Sequence, residues 1–128
     1  METVTLFNRV GDTWQTIKLK AHVERDMAHI RKKYGLESAS VAVIHLFNLD
    51  DYLPPKEWKK ERAGFTVQTG DDFFMIGEWD GEQVVEECDY PLGFHDYLFQ
   101  TYDYAYVVKS VSGPFTLIPH LEIAGAGE

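Results

Sequence analysis

Asp71 and Asp72 stand side by side between two apolar runs, in FTVQTGDDFFMIGEW, residues 65–79. Adjacent carboxylates on a hairpin can hold magnesium when a third acid converges on them from another strand, as in a polymerase hairpin. No third acid is evident. Asp50-Asp51 and Glu86-Glu87 are further acidic pairs, yet both lie in loop-like stretches where Asp commonly makes turn hydrogen bonds. Gly70 tolerates a positive φ and Asp71 can bond back to its own turn, so the local chemistry predicts a hairpin turn here rather than a metal centre.

The five histidines are His22, His29, His45, His95 and His120, and none is paired at the i, i+4 or HExxH spacing that puts two imidazoles on one metal. They read as structural or surface side chains, with His45 and His120 able to meet across a sheet. The chain has no GxSxG, no Walker loop and no GxGxxG. Its one cysteine, Cys88, sits in EECD, where neighbouring carboxylates disfavour the thiolate. No catalytic, cofactor-binding or metal-binding residue is assigned, and the expectation is a protein that is not an enzyme and carries no cofactor.

Length and charge point the same way. A chain of 128 residues is one domain's worth, too short for a palm-fingers-thumb polymerase. With 45% hydrophobic and 26% charged residues it is globular in composition, and no apolar stretch reaches a membrane span. The start, METVTLFNRV, lacks the basic and apolar regions of a secretory signal, so synthesis and folding in a cytoplasm are expected. The net charge of −9 divides unevenly, into +2 for residues 1–60 and −11 for residues 61–128. An acidic second half repels phosphate backbones, which argues against tight or specific nucleic-acid binding. The basic group Lys18, Lys20, Arg25, Arg31, Lys32 and Lys33 has no aromatic residues interleaved for stacking and reads as a solvated face.

The elements that must position these residues follow from periodicity. TVTLFNR (3–9) and TWQTIKLK (13–20) alternate on either side of a turn and predict an opening hairpin. Val23, Met27, Ile30 and Tyr34 recur at helical spacing before Gly35, predicting a short helix over 22–34. SVAVIHLF (40–47) predicts a buried strand, and residues 56–62 a single helical turn. FTVQ and DFFMIGEW form the next expected strand pair, followed by an acidic loop over 80–93. GFHDYLFQTY sets Phe94, Tyr97, Leu98 and Tyr102 on one helical stripe. YAYVVKSVS and FTLIPHLEIAG are closing strands joined through Gly113-Pro114, ahead of a frayed tail over about 124–128. The sum is a single mainly β domain over 1–128. Its expected form is an antiparallel sandwich or partly open barrel of at least six strands with two short helices.

The aromatic content gathers in DYPLGFHDYLFQTYDYAY. Alternation puts Tyr102, Tyr104 and Tyr106 on one strand face and Ala105 and Val107 on the other, so something must cover one of two apolar faces: the helix over 94–102 or another subunit.

The ordered motifs TLFNR (5–9), KKYGLESASVAVIHL (32–46), YLPPKEW (52–58), DFFMIGEW (72–79), DYPLGFHDYL (89–98) and YAYVVKSVSGPFTLIPHLEI (104–123) extend over nearly the whole chain. Together they resemble a family of small structural proteins of tailed bacteriophages and prophages of Gram-positive bacteria, similar in size to head-closure and head-completion proteins. The resemblance implies a virion protein made in the bacterial cytoplasm. It implies self-association, portal, adaptor or tail proteins as partners, no membrane, and no catalytic residues. A connector role makes Asp80, Glu82, Glu86 and Glu87 candidates for a negative channel lining through which DNA passes without sticking. Tyr97, Tyr102, Tyr104 and Tyr106 become candidate interface residues, with the loops 48–64 and 80–93 as docking elements. The alternatives are a tail-completion protein, a carbohydrate- or receptor-binding module using the tyrosines, and a metal-dependent hydrolase built on Asp71, Asp72 and a histidine.

Overall fold

The computed structural model describes residues 1–24, 41–61 and 63–127. Seven strands are laid down in chain order: β1 (Glu2–Val10), β2 (Thr13–Glu24), β3 (Val41–Leu46), β4 (Phe73–Ile76), β5 (Val84–Glu86), β6 (Ala105–Phe115) and β7 (His120–Ala126). Among the described residues two short α-helices, α1 (Pro55–Glu61) and α2 (Phe94–Thr101), lie between them. The strands run β1-β4-β6-β7-β3-β2 and β2 pairs back onto β1, which closes a six-membered antiparallel ring, with β5 added outside it along β2. Of the expected sandwich or partly open barrel, the chain forms a barrel, and a closed one. Closure leaves no unpaired edge in the ring.

Period-two alternation decides what each strand puts inside. Val4 and Leu6 of β1, Ala42, Ile44 and Leu46 of β3, Phe74 of β4, Tyr106 and Val108 of β6, and Leu121 and Ile123 of β7 fill the interior. Phe74 stacks on Tyr106 with ring centroids 5.3 Å apart, directly over Gly125. A Cβ at Gly125 would lie 2.5 Å from the Phe74 ring, so the backbone of β7 approaches that pair as only glycine allows.

The other face of β1, β4 and β6 is apolar too. Phe7, Phe73, Met75, Ala105 and Val107 point outward, where Phe94 and Leu98 of α2, with Trp79 and Val85, bury them in a second core. This is why FFMI reads as a continuous apolar run: both of its faces are covered. The helix over 94–102 is therefore the cover that the alternation called for.

Several boundaries differ from the sequence reading. FTVQ does not form a strand; Phe65 makes one parallel bridge to Tyr52, and Phe65 and Val67 pack into the barrel core. The partners of β4 are instead β1 and β6, which pair it along both edges. His22, Val23 and Glu24 continue β2 opposite β3, because pairing with His45, Ile44 and Val43 outweighs the local helical spacing. The rest of the expected helix over 22–34, with His29 and four of the basic residues, lies outside the described residues. The β6–β7 connection is Thr116–Pro119, while Gly113-Pro114, a cis peptide, falls within β6 at a register shift. Residues 124–126 do not fray: they pair with β3 and β6 and are buried. The acidic loop carries β5 and a 3-10 turn over Glu87–Asp89.

Candidate functional site

Asp72 is wholly buried. Its carboxylate accepts hydrogen bonds from Asn8 Nδ2 at 2.8 Å, the Arg9 amide at 2.9 Å, the Gln68 amide at 2.8 Å and Gln68 Nε2 at 2.9 Å. Asn8 also donates to the Thr66 carbonyl at 2.6 Å. The polar knot straps the irregular segment 65–68 to β1, which gives backbone groups outside the sheet the partners that burial demands. Burial pushes the Asp72 carboxyl up to about 6, against the pull of the four N–H donors. Asp71 is exposed and lines an open groove with Arg9, His95 and Lys109. The two adjacent aspartates therefore do not converge on a common centre, and Asp72 works as an internal anchor rather than a turn residue.

The acidic candidates separate in the same way. Asp80, Glu82 and Glu86 are exposed. Glu87 is committed to structure: its Oε2 accepts the Trp14 indole N–H at 2.9 Å and its Oε1 accepts the Phe94 amide at 3.0 Å, at the first turn of α2. Gly93 at the head of that helix offers no side chain for capping, and Glu87 supplies the missing acceptor from outside.

Tyr97 is 39% and Tyr104 57% exposed, whereas Tyr106 is 3% exposed and points into the barrel, so Tyr106 is a core residue and not an interface one. Tyr102 is half-buried against Trp79. Tyr90, absent from the sequence-based set, packs on Tyr97 at 4.6 Å between ring centroids. Burial raises the Tyr90 and Tyr102 hydroxyls above the ordinary phenol value. The charges of Asp89 and Glu82 on Tyr90, and of Asp80 on Tyr102, add to it. Tyrosines and acids thus share one surface around the α2 end of the barrel.

A second surface was not read from the sequence at all. The β6–β7 turn exposes Leu117 at 95% and Ile118 at 63%, with Phe115 at 40% beside it. Phe115 and Phe47 stack on His120, which extends the apolar area from the turn to the end of β3. A strand assignment for FTLIPHLEI hid this, because strand residues are expected to find partners. His45 and His120 do meet, with ring centroids 6.1 Å apart. No described helix is long and apolar enough to cross a membrane.

The described residues thus form a small closed β-barrel with α2 packed on its outer face, an acidic and aromatic face, and a projecting apolar turn. It belongs to the family DUF6751, described as a family of unknown function, whose pattern matches residues 1–126. No curated protein and no solved structure matches it.

Proposed function

We propose that this chain is a non-enzymatic structural protein of a tailed phage or prophage virion, acting at the head-tail junction as a connector or head-closure component. The observation that carries the reading is the β6–β7 turn, a short projection from a closed barrel that holds Leu117 and Ile118 in water. Burying a leucine or isoleucine fully is worth about 1.5–3 kcal/mol, so the two side chains together are a strong inducement to association. The resemblance of the ordered motifs to phage structural proteins supports the same role. The exposed Asp80, Glu82 and Glu86 suit a surface past which DNA must slide, since fixed carboxylates repel phosphate. The place of action is the virion, after synthesis in the bacterial cytoplasm.

The carbohydrate-binding alternative rests on the Tyr90–Tyr97 pair, which lines a shallow hollow with Pro91, Leu92 and Gln100. Light scattering after size exclusion separates the two, on the protein alone and mixed with the portal protein of its gene cluster. Ring-sized assembly or co-elution with portal supports the connector. A monomer indifferent to portal and tail proteins overturns it.

A further inference from the structure

We propose that His45, His120 and Glu122 form a binding site for a divalent transition metal, zinc being the ion whose ligand preferences they match. The site lies on the outer face of β2, β3 and β7, the half of the ring away from the strands that α2 covers. His45 stands directly opposite Glu122 in the β3–β7 register and opposite His22 in the β2–β3 register. His120 precedes Glu122 by two residues on β7 and so shares its face. The ligand atoms of His45, His120 and Glu122 all lie within 4.8 Å of one another. Glu122 Oε1 is 3.8 Å from His45 Nδ1 and 3.6 Å from His120 Nε2. Donors around a tetrahedral zinc, at bonds of about 2.0–2.2 Å, stand about 3.3–3.5 Å apart, so shifts of a few tenths of an ångström bring both pairs to bonding geometry.

The hydrogen bonds around the site prepare the correct nitrogen on each ring. His120 Nδ1 lies 2.6 Å from the Ile118 carbonyl, which can only accept, so Nδ1 carries a proton and in the neutral ring Nε2 presents its lone pair toward Glu122. His45 Nε2 lies 3.1 Å from Glu24 Oε2, and a neutral ring that donates to it turns the Nδ1 lone pair toward Glu122. A histidine held by a carboxylate on one nitrogen while the other faces the ion is the usual outer-shell arrangement of zinc sites. Phe115 and Phe47 hold the His120 ring by stacking, at 4.7 and 5.3 Å. Two nitrogens and one oxygen select zinc or its transition-metal neighbours over magnesium and calcium, which take oxygen. Bound there, the ion would fasten the base of the β6–β7 turn to β3.

This proposal does not depend on the assembly reading, since it concerns the isolated chain. The test is calorimetric titration of zinc into tag-free, chelator-stripped protein. One zinc per chain is expected, with a rise in melting temperature that a chelator reverses. His120→Gln and Glu122→Gln should each weaken binding at least about tenfold, Glu24→Gln by about 10–100-fold as an outer-shell change, and His95→Gln not at all. Absence of a one-to-one site, or binding in His120→Gln and Glu122→Gln as tight as in the wild type, overturns the site as an adventitious ion only. Should a variant fail to fold, cobalt(II) in the unaltered protein decides: tetrahedral visible bands support the site, and the spectrum of aqueous cobalt sinks it.

Discussion

Asn8 donates through Nδ2 to Asp72 Oδ2 at 2.8 Å across 64 residues of chain, both side chains being buried. That bond joins β1 to the segment entering β4, and it places an acid with a raised pKa where nothing but N–H donors meets it. The linkage has a definite sign. Between the ordinary value of 3.8 and the folded value of about 6, the folded state binds more proton than the unfolded one, so stability from this group falls as pH rises through that window. The melting-curve gap between the wild type and Asp72→Asn should therefore be widest near pH 4 and narrow by up to about 3 kcal/mol toward pH 6, other titrating groups cancelling in the difference. A gap that stays constant would show that Asp72 titrates normally, and one that widens with pH that its folded pKa is lowered instead of raised.

Glu87 and its acidic neighbours should behave differently under substitution. Glu87→Ala strands the Trp14 indole N–H and the first-turn amide of Phe94, so thermal unfolding should show a loss of about 1–3 kcal/mol, with Glu87→Gln recovering much of it. Asp80→Ala and Glu82→Ala, at exposed positions, should leave stability within about 0.5 kcal/mol. Equal effects at all three positions would remove the capping role.

Gly125→Ala tests the tight contact inside the barrel. The added methyl meets Phe74 at 2.5 Å and the Tyr106 Cβ at 2.8 Å, between two stacked rings that cannot both give way. Denaturant unfolding should register a loss of about 1–3 kcal/mol or more, as overpacked cores do. A neutral result would mean that β7 can move outward from the Phe74–Tyr106 pair.

Leu117→Asp with Ile118→Asp separates association from folding. Both side chains are exposed, so the doubly substituted protein should melt within about 1 kcal/mol of the wild type. Its co-elution with portal, or its self-assembly, should be lost. Assembly that survives both substitutions would move the interface to the Tyr97 and Asp80 face.

The backbone's own periodicities were enough to determine, from sequence, that this is an antiparallel β protein, where its opening hairpin lies, and which stripe α2 turns to the barrel. The alternation of TVTLFNR and the spacing of Phe94 and Leu98 are local properties, written into consecutive residues. What only the tertiary structure decided is which strands meet. β1 pairs with β4 sixty-odd residues later as well as with β2, and that double pairing closes the ring and denies FTVQ a place in the sheet. Tyr106 and Tyr104 have the same parity, yet one fills the barrel and the other faces water, because the barrel wall covers one and ends before the other. Asp72 is indistinguishable from Asp71 in sequence, and only the arrival of Asn8 from β1 makes it an anchor. The sequence reading allowed His45 and His120 to meet across a sheet, but Glu122 joins them only because β3 and β7 pair in the register that sets it opposite His45.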